Sequence, residues 1–338
     1  MSGHDIIVIG ASAGGVEALV KVVRGLPADL PAAVFVVLHI PPHSPSLLPV
    51  ILSRAGPLPA VHPTDDTKIA RGSIYIAPPD HHMLLEQDHI CVVRGPKENR
   101  HRPAVDPTLR SAALTYGPRV IGVILTGALD DGTAGLLAVK RRGGIAVVQA
   151  PQDALYPSMP HNAIEYVDVD YIVPLSKMAS LLKRLVNEKI VDEAAYSVPQ
   201  DMNNEVSAAA MDRNASNEHE HIGIPSVYSC PECGGVLWEI QDHSLLRFRC
   251  RVGHAFTSET MQAQQDEALE EALWTALKTL EESASLTQRL LQQAYQRGHE
   301  QLGRRLEEKL HQTERRIAVL MSVFQKKEED ISSETPVQ

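Results

Sequence analysis

Two groups of residues in this sequence have the types and spacing to do chemistry. The first is a serine set among glycines. Gly10-Ala11-Ser12-Ala13-Gly14-Gly15 follows the β-branched run Ile6-Ile7-Val8-Ile9 and leads into Val16-Glu17-Ala18-Leu19-Val20. Its G-x-S-x-G pattern is that of a nucleophile elbow, which holds a hydroxyl at the carboxyl end of a strand beside the free N–H groups of a helix start. The glycines allow backbone angles and approaches that a Cβ would block. Taken alone, the loop is also open to a phosphate-cradling reading, as in a dinucleotide-binding fold, and to a purely structural one. Against the cradle, G-x-G-x-x-G is absent because Ser12 stands where the second glycine should be. The acidic residue expected about 20 residues further on has only Asp29 as a loose match.

The second group lies late in the chain. Cys230-Pro-Glu-Cys233 and Cys250-Arg-Val-Gly-His254 form C-x2-C, 16 residues, then C-x3-H. Three thiols and one imidazole make a closed ligand set of the kind structural zinc prefers, with no open position for catalysis. The alternative is a redox pair. Gly234-Gly235 supplies the tight turn such a knuckle needs, and a segment so short would draw much of its folding energy from the metal. Cys91 stands alone in a strand-like run, and the histidines within 218–221 fall in a polar stretch and read as solvated.

A nucleophilic serine needs a base and an orienting carboxylate, and in an open α/β sheet these belong at the carboxyl ends of neighbouring strands. The apolar runs at 6–9, 34–38, 120–125 and 145–148 are rich in Val and Ile and lack strict alternation. Such strands are buried on both faces, which implies a parallel sheet covered by helices. Helical patterns near 15–25, 46–54, 106–116, 132–142 and 176–186 supply the cover. Ser73–Ala77, His82–Glu86 and His89–Arg94 read as shorter strands, the last two joined as a hairpin. The expected fold is therefore a doubly wound, mostly parallel α/β domain. In it, Val34–Leu38 ends at His39, where Pro41 and Pro42 stop the strand. Ile121–Leu125 ends in Thr126-Gly127-Ala128-Leu129-Asp130-Asp131-Gly132. Either aspartate is placed to orient His39 or to cap the helix that follows. The chain order Ser, His, Asp differs from the Ser, Asp, His of α/β-hydrolases.

The 338 residues divide into an α/β domain over 1–187, a polar linker over 188–226, the Cys/His module over 227–257, a helical hairpin or coiled coil over 258–328 and a disordered tail over 329–338. Leu269, Leu273, Leu277 and Leu280, then Leu302, Leu306, Leu310, Ile317 and Leu320, recur as an apolar seam requires. Gly298 is placed to reverse the chain; Gly303 leaves a single rod as the alternative. A net charge of −10 and 4% aromatic residues argue against nucleic-acid binding. No apolar run approaches the roughly 18–20 residues that span a bilayer. The N-terminus lacks the basic and apolar regions of a signal peptide, so a cytoplasmic protein is expected.

Several blocks together bring a family into view: GASAGG, the strand ending in VLHIPP, HRPAVDPTLRSAA at 101–113, LTGALDDGTAGL at 125–136 and YPSMPHNAI at 156–164. Over residues 4–187 the chain resembles the catalytic domain of the chemotaxis protein-glutamate methylesterases (CheB). The resemblance implies a serine esterase that removes methyl groups from glutamyl esters on methyl-accepting chemotaxis receptors, with glutamine deamidation as a related activity and no catalytic cofactor. It assigns the triad to Ser12, His39 and Asp131, choosing the second aspartate, and the oxyanion-binding N–H groups to Ala13 and Ala128. The family commonly has Thr after the serine and Met after LTG, where this sequence has alanines; the backbone donors survive while the pocket lining changes. The esterase pattern starts at Asp5 with no receiver ahead of it, so regulation would come from a separate receiver or signalling protein. Arg100, Arg102 and Arg110 either steer an acidic receptor surface or lie on a solvated loop face. The reading from a different class is a catalytically silent scaffold that binds partners through its C-terminal helices.

Overall fold

The computed structural model describes residues 3–43, 45–190, 196, 199–211, 223–242 and 245–334, with side chains described as far as 325. It divides into two compact units, Met1–Gln262 and Ala263–Gln338.

The first unit is organised on a sheet of order β10-β9-β8-β1-β2-β5-β3, all of whose pairings are parallel. Its strands are β1 (Ile6–Ala11), β2 (Ala33–Leu38), β3 (Ala60–Val61), β5 (Ile74–Ile76), β8 (Val120–Ile124), β9 (Ile145–Gln149) and β10 (Tyr171–Val173). The helices α1 (Gly15–Arg24), α2 (Leu48–Ala55) and α6 (Leu175–Leu185) cover one face, where Ile7, Ile9, Val34 and Val36 meet Leu19, Leu52 and Leu182. The helices α3 (Val105–Tyr116), α4 (Thr133–Arg141) and α5 (Ser158–Tyr166) cover the other, where Val8, Phe35 and Val37 meet Leu109, Leu136 and Met159. Successive strand residues thus enter opposite cores, which is why the runs are apolar throughout rather than alternating. A three-stranded antiparallel ribbon, β4 (Thr67–Lys68), β7 (His89–Val93) and β6 (His82–Glu86), lies against α3. Ser111 Oγ accepts the Leu85 N–H at 2.9 Å, and Thr108 Oγ1 donates to the Met83 carbonyl at 2.7 Å.

The strand order turns at β1: the chain runs outward through β2 and then returns to place β8 on its other side. In such sheets the crevice beyond the carboxyl ends at that point is where ligands bind.

The structure departs from several expectations. Part of the stretch expected as linker is ordered: Gln200–Ala210 forms α7, which buries Met202 in the core beneath the sheet and Glu205 among arginines. The histidines within 218–221 lie outside the described residues. The Cys/His segment, set apart as a small module over 227–257, belongs to the same compact unit as the α/β domain. It is an antiparallel sheet of β11 (Ile224–Ser229), β12 (Val236–Asp242), β13 (Leu245–Cys250) and β14 (Ala255–Thr257), with a small core of Leu237, Phe248, Phe256 and Met261 beside Cys230 and Cys250. Charge joins these segments. Glu98 accepts from Arg110 and Arg249, and Glu205 from Arg247 and Arg249, all five side chains being almost fully buried. Buried charges persist only when paired in this way. Arg110, one of the three arginines considered for steering a substrate, is therefore an internal structural cation.

The second unit is a helical hairpin. The helix α8 (Ser258–Gln296) ends before Gly298, whose φ of +73° suits the reversal, and α9 (Glu300–Glu334) runs back. Trp274 stacks on Phe324 at 4.1 Å between ring centroids, and Tyr295 OH donates to Glu307. Gly303 lies inside α9 with Tyr295 against it, so the single-rod alternative is not the structure. The helix continues through 329–334, where a disordered tail was expected.

Candidate active site

Three adjacent strands of the large sheet deliver three polar groups to one edge. Ser12 follows β1, with its N–H bound to the Thr126 carbonyl at 3.0 Å. Gly14, at φ +71°, takes the left-handed turn that starts α1 directly behind the serine. His39 follows β2 and is tied back by its N–H to the Ala11 carbonyl. Asp130 and Asp131 follow β8. Neither caps α4, whose N-cap is Gly132.

The imidazole of His39 joins the other two groups. Its Nε2 lies 2.7 Å from Asp131 Oδ2 and its Nδ1 lies 3.0 Å from Ser12 Oγ. A carboxylate only accepts, so Nε2 carries the proton and Nδ1 presents its lone pair to the serine hydroxyl. Asp130 points elsewhere: its Oδ1 accepts from Thr257 and Thr260 hydroxyls, each at 2.8 Å. Burial pushes the Asp130 carboxyl up to about 6, against those two hydrogen bonds.

Asp131 is fully enclosed and heavily bonded. Besides His39, its oxygens accept from the Val105 N–H at 2.6 Å, the Asp106 N–H at 3.3 Å and Asn99 Nδ2 at 2.9 Å. The first two donors are free N–H groups at the start of α3, where the helix favours negative charge. Burial alone would raise the Asp131 carboxyl; the His39 hydrogen bond and charge and the Val105 and Asn99 donors overcome it and hold the group well below the usual range. The adjacent Asp106 is displaced upward, by burial and then by the Asp131 charge. Asn99 Nδ2 bridges the two carboxyls.

A cleft of about 520 Å³ opens over Ser12, Ala13 and His39, walled by Ile40, Pro41 and Pro42 on one side and by Lys97, Arg100, His101 and Arg102 on the other. Arg102 is held by Asp80 through Nε at 2.8 Å, and Lys97 by Glu232 at 3.0 Å. Arg100 and Arg102 both line the cleft, Arg102 with its charge already met by Asp80. The loop carrying Ala128 is fixed behind the serine by the Gly127 N–H to the Tyr156 carbonyl, and by Thr126 Oγ1 to the Ala13 carbonyl. The whole arrangement suits removal of a proton from Ser12 and attack on an electrophilic carbon in the cleft.

The family model described as CheB methylesterase matches residues 7–182, more than half of the chain. The chain belongs to this family. A Leptospira interrogans protein named for protein-glutamate methylesterase and protein-glutamine glutaminase activities is 38% identical over 54% of this chain and 95% of its own length. A protein of Methanosarcina acetivorans with the same two activities in its name is 36% identical, over 54% of each chain. The crystal structure of the Thermotoga maritima CheB methylesterase catalytic domain superposes with a TM-score of 0.53 at 36% identity, covering 55% of this chain and all of that one. The matched region of this CheB-family chain ends before the Cys/His segment.

In that segment the four expected ligands are together. Cys233 and Cys250 Sγ are 3.7 Å apart, and His254 Nδ1 lies 3.7 Å from Cys230 Sγ and 3.6 Å from Cys250 Sγ. All four ligand atoms fall within 4.8 Å of one another. Zinc bonds of about 2.3 Å to sulfur and about 2.0 Å to nitrogen set tetrahedral edges of roughly 3.6–3.8 Å; three of the six edges match, and the four residues could close on such an ion.

Two residues near Ser12 escaped sequence reasoning about roles. His101 stacks on His39, and Asn99 holds Asp131. His101 sits in the HRPAVDPTLRSAA block, a signal of importance without a role. Asn99 carries no sequence signal.

Proposed function

We propose that this chain is a serine hydrolase of glutamate methyl esters on methyl-accepting chemotaxis receptors, with Ser12 as nucleophile, His39 as base and Asp131 as its orienter. Deamidation of glutamine at the same site is the companion reaction. One observation carries the reading: the unbroken hydrogen-bonded line Ser12, His39, Asp131 ends at the cleft with the serine outermost.

The chemistry follows from the atoms. His39 Nδ1 takes the Ser12 hydroxyl proton as Oγ bonds to the ester carbonyl carbon. The imidazolium so formed keeps its Nε2–H on Asp131, whose depressed pKa keeps it anionic and able to compensate that charge. The Ala13 and Ala128 N–H groups meet the oxyanion. His39 then gives its proton to the departing methoxide oxygen, and methanol leaves. Water enters, loses a proton to His39 and adds to the acyl carbon; collapse returns the proton to Ser12 Oγ and frees the glutamate. With a glutamine substrate the leaving group is ammonia.

The Cys230, Cys233, Cys250 and His254 set is read as a structural zinc site: three thiols and one imidazole converging on one point fill a four-coordinate ion and leave no position for substrate. No helix among the described residues is long and apolar enough to cross a membrane. A cytoplasmic location follows from the proposed substrate, whose sites lie on the cytoplasmic helices of receptors.

The test is methanol release from a methylated receptor by the full chain and by Ser12→Ala. Release that disappears with the substitution is expected. Equal background release from both would leave a silent scaffold as the better description.

A further inference from the structure

We propose that Asn99 is a positioning residue of this hydrolase site, and that metal bound at the Cys/His cluster holds it in register with Asp131. The inference rests on the esterase reading above and adds to it a dependence on a second site.

The observation is a run of three residues, each tied to a neighbour of a metal-ligand candidate. Lys97 Nζ donates to both oxygens of Glu232, which lies between Cys230 and Cys233. Glu98 accepts from Arg249, which precedes Cys250. Asn99 is held by the strand that starts one residue after His254: its N–H donates to the Ala255 carbonyl at 2.9 Å, and its Oδ1 accepts the Thr257 N–H at 3.2 Å. The remaining polar atom of that side chain, Nδ2, reaches inward to Asp131 and Asp106. Asn99 therefore spends all its side-chain polarity in bridging the Cys/His sheet to the carboxylate that orients His39.

The backbone supports the same reading. Asn99 and Arg100 have φ of +48° and +71°, two consecutive residues in the left-handed region. Side-chain-bearing residues stay there when their surroundings over-determine them. Here those surroundings are β14 on one side and Asp131 on the other. The next residue, His101, lies on the face of His39. The segment from 97 to 101 is thus a strap whose outer edge is the Cys/His sheet and whose inner edge is the reacting imidazole.

Metal matters because the two knuckles are short turns on a small core. Cys230 and Cys250 close them through backbone bonds to Gly235 and His254. The knuckles are already joined by the pairing of β12 with β13, where Leu237 stands opposite Cys250, and the cluster of three sulfurs and one nitrogen adds a second link at their tips. With an ion in place the knuckles are cross-bonded; without one, three adjacent thiols remain, and metal binding supplies the missing order. Loss of that order would loosen Glu232 in one knuckle and the turn from Cys250 to His254 that leads into β14, and with them the two ends of the strap.

The experiment uses the full chain in three forms: zinc-loaded, chelator-stripped with zinc then restored, and Asn99→Ala with zinc. Metal content gives the loading. Methanol release gives kcat and KM, and the downfield proton resonance of the His39 Nε2–H on Asp131 reports the geometry independently of activity. Expected are a shifted or lost resonance and a kcat lowered on the order of tenfold in the stripped and Asn99→Ala forms, KM changed less, and recovery on adding zinc to the stripped form. If Asn99→Ala does not fold, stripping and restoring the unaltered chain carries the test. An unchanged resonance and kcat in the stripped protein, or no zinc bound at all, would overturn the coupling while leaving the esterase standing. A zinc-dependent resonance without Ser12-dependent methanol release would instead overturn the esterase and keep the coupling.

Discussion

The rings of His39 and His101 lie face to face, 3.6 Å between centroids and 12° from parallel. Burial, and then the nearness of His39, pull His101 down to about 4, so at neutral pH it is an uncharged cover over the imidazole that exchanges protons with Ser12. A second cation there would oppose the imidazolium formed during reaction; a neutral ring screens it from water without that penalty.

This arrangement makes stability depend on pH. Unfolded, His101 protonates near 6.5; folded, near 4. Between those values the unfolded chain binds the extra proton, so stability falls as pH drops from about 6.5 and levels off below about 4. A gap of about 2.5 units corresponds to at most about 3 kcal/mol from this residue. Urea midpoints measured at pH 7 and pH 5 should differ, and His101→Phe, which keeps a stacked ring, should reduce the difference. An identical difference in the variant would refute the assignment; His4 and His82, also lowered by burial, add to the fall, and Asp130 and Asp106, raised by burial, oppose it.

The two neighbouring aspartates should behave differently. Asp131→Asn keeps the shape but loses the charge that steadies the imidazolium, and kcat for methanol release should fall on the order of 10³–10⁴. Asp130→Asn leaves the His39 partner intact and should stay within roughly tenfold of the parent. Equal losses would mean that the hydrogen bond from His39 to Asp131 does not orient the base.

Gly127 is required by space. A Cβ there would run into Met159 Sδ and approach Ser12 Cβ to 2.9 Å. Gly127→Ala should displace the loop that carries the Ala128 N–H and lower kcat about 10²–10³, the usual effect of losing an oxyanion donor. Kinetics on a variant whose thermal midpoint is known would separate this from unfolding.

Glu205 tests whether α7 is part of the catalytic unit. Its carboxylate lies among Arg110, Arg247 and Arg249, and those charges hold it well below the usual range against burial. Glu205→Ala leaves buried cations short of a partner and should cost about 3–5 kcal/mol. A denaturation curve matching the parent would mean that α7 is the independent segment the polar composition suggests.

Local sequence determined most of what is local here. Continuous Val and Ile runs can be satisfied only by strands buried on both faces, so the parallel sheet and its covering helices were legible. Glycine after β1 and proline after β2 mark where those strands must stop, which placed Ser12 and His39 at one edge. The C-x2-C and C-x3-H spacings brought out the four candidate ligands in the same way.

Tertiary structure decided what depends on partners far apart in the chain. Nothing local separates Asp130 from Asp131; they diverge because Thr257 and Thr260 wait for one, and His39, Asn99 and the start of α3 for the other. Polar composition over 188–226 suggested a linker because a helix such as α7 carries too few apolar residues to order itself. It is ordered by Arg247 and Arg249, more than 40 positions away, which neutralise Glu205. The place of Asn99 was hidden for the same reason: its role consists of bonds to residues 106, 131, 255 and 257, and exists only once the Cys/His sheet has packed beside the serine, histidine and aspartate.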